Sequence, residues 1–261
     1  MTTAARPRYG KVCLIGAGPG AADLITVRGA RLLAQADVVL HDALVTPEML
    51  ELCPQAQKIA VGKRCGRLST AQAFINKQLV DCAARHALVV RLKGGDPMLF
   101  GRADEELRAL EAHGIEFEVV PGITAALAAA SATGQPLTQR GVARSVAFFT
   151  ASSAPEAAPP AALPAADTLV QYMGGREAAA AARALLDAGR AAATPVVIVE
   201  NCSHADQRIW RLRLDELERR PLQWQGPVLL MIGAAMAARA GSGIGIGDAA
   251  GIVEEVAAQA A

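Results

Sequence analysis

One stretch decides how this chain is organised: Val90-Arg91-Leu92-Lys93-Gly94-Gly95-Asp96-Pro97-Met98-Leu99-Phe100-Gly101-Arg102. The apolar run that enters it, from Ala87 to Leu92, is typical of a buried strand in a parallel sheet. Its two glycines allow positive φ and let a ligand approach bare backbone, and Pro97 disfavours helical geometry at Asp96. Ligands of an open α/β sheet lie beyond the carboxyl ends of the strands, so the stretch predicts a binding edge. Taken alone, Gly-Gly-Asp-Pro also fits an ordinary turn between a strand and a helix.

The composition narrows the class of protein. Of the 261 residues, 52% are hydrophobic but 3% are aromatic, so alanine, leucine and valine must build the core. The net charge is +1, which leaves no excess of positive charge to neutralise a nucleic acid. We find neither a signal peptide nor an apolar run long enough to cross a membrane. We therefore expect a soluble cytoplasmic protein without a nucleic-acid or membrane partner.

The positions of cysteine and histidine predict neither disulfides nor a metal site. The five cysteines are scattered and form no C-x-x-C pair, as expected for reduced thiols in a cytoplasm. The four histidines show no spacing typical of metal ligands. We therefore expect the protein to work without a metal.

Predicted strands and helices alternate along the chain and fall into two parts. An α/β domain is expected at 9–150 and a second one at 168–236. Between them, 151–167 is mostly alanine and proline without periodicity, which predicts a linker. The last stretch, 237–261, begins with a glycine- and serine-rich hinge, and we expect it to be a mobile tail.

The first glycine-rich loop leaves a second enzyme class open. A predicted strand at 11–15 leads into Gly16-Ala17-Gly18-Pro19-Gly20, and the next strand ends at Asp42. This pattern also fits the dinucleotide fingerprint with its ribose-binding acid, so a nicotinamide-dependent oxidoreductase is an alternative. Against it, Thr26 is the better helix N-cap, and a helix that begins there could not direct its dipole at a pyrophosphate on Gly18.

A basic loop follows the third predicted strand. It reads Gly62-Lys63-Arg64-Cys65-Gly66-Arg67 and concentrates three cations between glycines. Such a run fits either a solvated surface loop or a docking site for a polyanionic small molecule. Thr70 is the predicted N-cap of the helix after it.

Seven segments in register carry a family resemblance: Gly16-Ala-Gly-Pro-Gly20, His41-Asp-Ala-Leu-Val45, Val61-Gly-Lys-Arg64, Arg91-Leu-Lys-Gly-Gly-Asp-Pro97, Phe100-Gly-Arg102, Val120-Pro-Gly-Ile-Thr124 and Tyr172-Met-Gly174. In this order and spacing, the chain closely resembles the uroporphyrinogen-III C-methyltransferases of the tetrapyrrole methylase family, from about residue 11 to residue 235. The resemblance implies two α/β domains of the tetrapyrrole methylase type, with S-adenosyl-L-methionine in the cleft between them. It also implies a homodimer.

The resemblance further implies the residues of the site. It assigns the cofactor, and its product S-adenosyl-L-homocysteine, to Pro19, Gly94, Gly95, Asp96, Leu99, Thr124, Ala125, Met173 and Cys202. It implies roles as proton acceptor and donor for Asp42 and Lys63. It implies substrate handling by Arg102 and Glu105, with the arginine also as a base. Because arginine is normally always protonated, we favour a clamp on a substrate carboxylate over the role of base.

The chain departs from the family pattern in two places near the substrate. Ala103-Asp104 replace a pair of glycines, and Thr150-Ala151-Ser152 stand where Thr-Gly-His is common. These changes affect the expected loop over the substrate more than the cofactor site.

The implied chemistry agrees with the residues. Methyl transfer from a sulfonium is an in-line displacement, so the protein mainly has to align donor and acceptor. Cations at Lys63, Arg64, Arg67, Arg102 and Arg140 would balance the substrate carboxylates. We expect two successive methylations of uroporphyrinogen III that give precorrin-2 by way of precorrin-1, for use in cobalamin, sirohaem or haem d1 synthesis. A methylase of a later precorrin is the alternative within the family, and a non-catalytic binding module leaves three glycine loops unexplained.

Overall fold

The computed structural model describes residues 9–62, 68–151, 163–219 and 222–238. The chain separates into two compact units, with the division between Ala125 and Ala126. Each unit contains a five-stranded sheet with helices, which confirms the predicted class of two α/β units.

The first unit is built on a parallel sheet in the order β3-β2-β4-β1-β5. Its strands are β1 (Lys11–Gly16), β2 (Val38–His41), β3 (Gln57–Ala60), β4 (Leu88–Lys93) and β5 (Phe117–Val120). Its helices are α1 (Val27–Leu33), α2 (Pro47–Leu50), α3 (Leu68–Ala83) and α4 (Ala103–Ala112), and a 3-10 turn covers Ala22–Leu24. Because all five strands run in one direction, the loops after them share one edge of the sheet.

Apolar side chains cover both faces of this sheet. In β1, Cys13 and Ile15 belong to one buried cluster, whereas Val12 and Leu14 belong to the cluster on the opposite face. This alternation explains why β1 and β4 read as continuous apolar runs. The sheet is thus fixed on both sides, and its loops are attached to a rigid support.

The start of α1 confirms the cap predicted at Thr26. The side-chain oxygen of Thr26 accepts a hydrogen bond from the backbone N–H of Gly29 at 3.1 Å, and the helix begins at Val27. The helix therefore begins after the Ala22–Leu24 turn and not on the glycines of the first loop. By contrast, α3 begins at Leu68, before the cap predicted at Thr70.

The second unit contains a mixed sheet in the order β6-β7-β10-β8-β9. Its strands are β6 (Val146–Thr150), β7 (Thr168–Tyr172), β8 (Pro195–Glu200), β9 (Arg208–Arg213) and β10 (Val228–Ile232). β6 pairs in parallel with β7, and the other pairs are antiparallel. The helices are α5 (Ala125–Thr133), which begins at the division, α6 (Ala178–Asp187) and α7 (Leu214–Arg219), and a 3-10 turn covers Ala234–Met236.

The observed division corrects the domain boundary expected after residue 150. β6 pairs with β7, with Val146 opposite Thr168, so it belongs to the second sheet. A strand joins the sheet that supplies its hydrogen bonds, whatever its distance along the chain. The predicted linker lies largely on 152–162 and the predicted tail largely on 239–261, both outside the described residues, and 163–167 adopt neither helix nor strand. Within the described ranges, no helix has the length and apolarity that crossing a membrane requires.

Candidate active site

Three glycine loops meet at the carboxyl edge of the first sheet, and we call this contact the glycine edge (Gly16, Gly18, Gly95 and Gly122). A Cβ on Gly16 would lie 2.5 Å from the Cα of Gly122 and 2.7 Å from the carbonyl oxygen of Gly95. Gly18 and Gly95 exchange two backbone hydrogen bonds of 3.2 and 2.7 Å. At Gly16 and Gly122 backbone packs directly on backbone, and Gly18 and Gly95 have positive φ values of +78° and +69°, which explains why these positions favour glycine.

Asp96 connects two of these loops. Its Oδ1 accepts a hydrogen bond from the N–H of Met98 at 2.8 Å, and its Oδ2 accepts one from the N–H of Gly122 at 2.9 Å. The family resemblance implies that this carboxylate contacts the cofactor itself. In the structure it joins the loop after β4 to the loop after β5, which leads to Thr124 and Ala125.

The other cofactor-binding candidates of the first unit lie around the same edge. Pro19 and Leu99 are half-buried. Gly94 packs against Leu44, because a Cβ added to Gly94 would lie only 2.9 Å from the Cβ of Leu44. Gly95 differs from its neighbours. It has a φ of +69°, and a Cβ added to it would meet nothing within 4 Å. The space beside the Cα of Gly95 is therefore open, as a cradle for a ligand requires.

Four charged side chains form a continuous chain of ion pairs, which we call the buried ion chain (Asp42, Arg91, Glu106 and Lys93). The Arg91 guanidinium donates to Asp42 Oδ1 at 2.5 Å and to Glu106 Oε1 at 3.0 Å. The Lys93 ammonium donates to both oxygens of Glu106, at 3.0 and 2.9 Å. The side chains of Arg91, Lys93 and Glu106 are 2%, 3% and 0% exposed, whereas that of Asp42 is 29% exposed.

The pKa values of the two cations in this chain are shifted in opposite directions. Burial, together with the charge of Arg91, lowers the pKa of Lys93 below its usual value. Burial also acts to lower the pKa of Arg91, but the charges of Asp42 and Glu106 outweigh it and raise that pKa overall. The two carboxylates therefore stabilise the guanidinium as a cation inside the protein.

Arg102 and Glu105 form a separate pair at the start of α4. The Nε and Nη2 groups of Arg102 donate to the two carboxylate oxygens of Glu105 at 2.6 and 2.8 Å. The side chains are 41% and 45% exposed, so the fork is accessible from solvent. Asp42 and Arg102 are thus bound to different partners, Arg91 and Glu105. Lys63 lies outside the described residues.

The remaining candidates lie in the second unit, after β7 and β8. Met173 follows β7 with a φ of +54° and is about half exposed. The N–H of Ala126 donates to the hydroxyl of Tyr172 at 3.2 Å, so the start of α5 lies beside the end of β7. Cys202 is buried, and burial raises its pKa from 9.0 to about 11, which keeps the thiol neutral at physiological pH.

Buried Glu200, which ends β8 just before the turn that contains Cys202, binds the loop before β10 and a side chain of β9. Its Oε1 accepts hydrogen bonds from the N–H groups of Gln225 and Gly226, and its Oε2 pairs with Arg208. Asn201 and Ser203, on either side of Cys202, have φ values of +49° and +69°. Such backbone is costly for residues other than glycine and is concentrated at functional sites.

Sequence reasoning did not identify the buried charges. Arg91 lies within the run interpreted as an apolar strand, and neither Lys93 nor Glu106 was assigned a role. A usable signal was present, because two cations that alternate with apolar residues at the end of a buried strand require anionic partners.

The comparisons with known proteins agree with this arrangement. Residues 11–218 match the family described as Tetrapyrrole (Corrin/Porphyrin) Methylases. The Siroheme synthase of Zymomonas mobilis subsp. mobilis is 46% identical over 231 residues, which cover 87% of this chain and 49% of that protein. The Siroheme synthase of Baumannia cicadellinicola is 46% identical over 229 residues, covering 86% of this chain and 50% of that protein. The chain thus spans about half the length of these curated relatives.

Solved structures extend the similarity to the fold. Uroporphyrin-III C-methyl transferase from Thermus thermophilus, complexed with S-adenyl homocysteine, is 38% identical with a TM-score of 0.77, over 87% of this chain and 93% of that chain. The cobalt precorrin-4 methyltransferase CbiF is 27% identical with a TM-score of 0.73, over 87% of this chain and 96% of that chain. The loops, the two sheets and these similarities lead to one conclusion: this chain belongs to the tetrapyrrole methylase family.

Proposed function

We propose that this chain uses S-adenosylmethionine to methylate carbon atoms of uroporphyrinogen III, twice in succession, and releases precorrin-2. The observation that carries the proposal is the glycine edge with the open space beside the Cα of Gly95. Membership of the family and the similarity to a uroporphyrin-III methyltransferase support the choice of substrate. The similarity to siroheme synthases favours sirohaem synthesis as the use of the product.

The residues of the first unit fit a cofactor of this kind. The open space beside the Cα of Gly95 lets an uncharged nucleoside lie against the backbone, and Asp96 keeps two of the loops in place. We propose that the cofactor is held by Pro19, Gly94, Gly95, Asp96, Leu99, Thr124, Ala125, Met173 and Cys202. When bound, it supplies the activated methyl group.

The polar groups of the chain handle the substrate. The Arg102 fork is exposed and binds the carboxylate of Glu105 in bidentate fashion, and we propose that a carboxylate of the tetrapyrrole replaces Glu105 on this fork. Asp42 is the candidate acceptor for the proton that the macrocycle loses after methylation, and Lys63 is the proposed donor. Alignment by these groups supplies most of the acceleration of an in-line displacement.

One observation counts against the nicotinamide-dependent oxidoreductase. α1 begins at Val27, behind a 3-10 turn, whereas a dinucleotide site needs the helix to begin on the glycines of the first loop. A methylase of a later precorrin has more support, because the chain also shares its fold with a cobalt precorrin-4 methyltransferase.

Mass spectrometry distinguishes these functions. When the protein is incubated with uroporphyrinogen III and S-adenosylmethionine, we expect the mass of the tetrapyrrole to increase by two methyl groups. In titration calorimetry, we expect the protein to bind S-adenosylhomocysteine and not NAD. The absence of added mass with an active donor would exclude the proposed substrate, and tight NAD binding would reverse the choice of enzyme class. Light scattering would test our further expectation of a homodimer.

A matched pair of arginine variants tests the clamp. Arg102→Ala removes the exposed fork, so we expect the KM for uroporphyrinogen III to rise about tenfold or more, as for a lost charge-assisted hydrogen bond. Arg108→Ala, on the same helix and paired with Asp104, is the control and should leave KM unchanged. Equal KM values for the two variants would contradict the clamp.

A further inference from the structure

The buried ion chain ends on the candidate proton acceptor. Arg91, Glu106 and Lys93 are enclosed by the protein, and Asp42 is the member that solvent reaches. Asp42 directly follows β2, which pairs with β4, the strand that carries Arg91 and leads into the glycine edge. The buried chain therefore extends from the interior to the edge of the sheet where the site is proposed.

The geometry of Arg91 leaves Asp42 little freedom. Its Nη2 donates to Asp42, and its Nε donates to Glu106. Its Nη1 donates to the backbone oxygens of Leu40 and Leu92 at 3.4 and 3.2 Å. The planar guanidinium is thus fixed at Nε and Nη1, and the carboxylate bonded to Nη2 takes a defined position.

Glu106 holds this arrangement together from α4. One of its oxygens accepts from Arg91 and Lys93, and the other accepts from Lys93. The amide nitrogen of buried Gln72 on α3 adds a fourth contact at 3.4 Å. Two helices and two strands therefore converge on the groups that orient Asp42.

Stability alone does not account for such a construction. Buried ion pairs are often no better for stability than apolar side chains of the same volume, because desolvation offsets the attraction. An apolar residue at Arg91 would continue the apolar pattern of β4. The feature that an apolar core could not supply is a carboxylate held at one position on the surface.

Resting on the proposed function, we propose that Arg91 and Glu106 are positioning residues that hold the carboxylate of Asp42 in place for proton removal during methyl transfer. They act through Asp42 and do not themselves contact the substrate. Arg102 is oriented by Glu105, the neighbour of Glu106. The first turn of α4 therefore orients both polar groups that we assign to the substrate.

Arg91→Lys tests this role because it keeps the charge and loses the fork. We expect kcat for uroporphyrinogen III to fall about 10- to 100-fold, as for a displaced catalytic group, with little change in the KM for the methyl donor. Arg108→Lys, the same change at an exposed ion pair on α4, is the control and should retain the parent kcat. An unchanged kcat in Arg91→Lys would overturn the proposal.

A double-mutant cycle separates positioning from a general structural effect. If Arg91 acts through Asp42, Arg91→Lys combined with Asp42→Asn should be no slower than Asp42→Asn alone, because the group to be positioned is already absent. If the double variant instead loses kcat by the product of the two single factors, the two residues act independently and the proposal is contradicted. The parent protein is assayed alongside, so that its failure to methylate uroporphyrinogen III refutes the proposed function and not the positioning role.

Asp42→Glu keeps the test valid if Arg91→Lys does not fold. The side chain of Asp42 is partly exposed, so the longer carboxylate can be accommodated while the charge is kept. Because its carboxylate moves by one methylene, we expect kcat to fall about tenfold or more. Full kcat in Asp42→Glu would show that the position of the carboxylate is unimportant, and would overturn the proposal.

Discussion

A methyl group added at Gly95 tests the proposed cofactor site directly, because the space beside this residue is open. Gly95 has a φ of +69°, and a built Cβ meets nothing within 4 Å. Gly114, after α4, provides a matched control, with a φ of +65° and equally empty surroundings. Gly95→Ala and Gly114→Ala therefore place the same strain on the folded backbone, and they differ in whether a ligand uses the space.

The shared cost follows from the left-handed conformation. Alanine in this region costs about 1–2 kcal/mol, so we expect each variant to lose roughly 2–8 °C of melting temperature. The ligand effect is superimposed on this cost. If the cofactor lies against the backbone of Gly95, the new Cβ displaces it, and the loss of one hydrogen bond of about 1.5 kcal/mol already weakens binding about tenfold.

Two measurements decide the matter. Scanning calorimetry should give similar melting temperatures for the two variants, and titration calorimetry with S-adenosylhomocysteine should give a Kd at least about tenfold higher for Gly95→Ala than for Gly114→Ala. Equal Kd values would refute the reasoning, since they would show that the open space at Gly95 is not used by the cofactor.

Other changes act on single contacts. Asp96→Asn removes the charge from the group that accepts the hydrogen bond of the Gly122 N–H and joins the loops after β4 and β5. The affinity for S-adenosylhomocysteine, measured by calorimetry, should therefore fall about tenfold. Asp104→Asn is its exposed control, and equal affinities would contradict the role of Asp96. Gln171→Leu should raise the melting temperature by about 2–6 °C, because the buried amide of Gln171 has no hydrogen-bond partner within the described part of the chain. A lower melting temperature would show that this amide is satisfied in solution. The raised pKa of Cys202, from 9.0 to about 11, means that the folded state retains a proton that the unfolded state loses in this interval. The free energy of unfolding from urea titrations should therefore fall between pH 9 and pH 11 by about 2–3 kcal/mol. Cys202→Ala should make this decline smaller. A decline of the same size in the variant would show that Cys202 is not the group that causes it.

The glycine edge could be predicted from the sequence because glycines at strand ends carry local information. Gly16, Gly95 and Gly122 each follow an apolar run, and parallel strands bring such positions to one edge. The cap at Thr26 is likewise a local signal, since its hydroxyl bonds to a residue three positions away. Both features follow from neighbouring residues: the cap at Thr26 was predicted, and the stretch that contains Gly95 was predicted as a binding edge.

Features that depend on distant partners were not predicted. Asp96 bonds to a backbone N–H 26 positions away, and Arg91 pairs with Asp42, 49 positions away. The sequence shows that such groups need partners but not which partners they find. The position of β6 depends in the same way on its pairing with β7, and no composition signal marks that choice.

The adjacent carboxylates Glu105 and Glu106 point to different partners, one to exposed Arg102 and the other to buried Lys93 and Arg91. Successive residues of an α-helix are rotated by about 100° around its axis. A change in the angle of α4 about its axis would carry the local Arg102–Glu105 pair along with the helix, but it would turn Glu106 away from Lys93 and Arg91 on β4. The buried pairs of Glu106 therefore fix the angular phase of α4 relative to the strand before it.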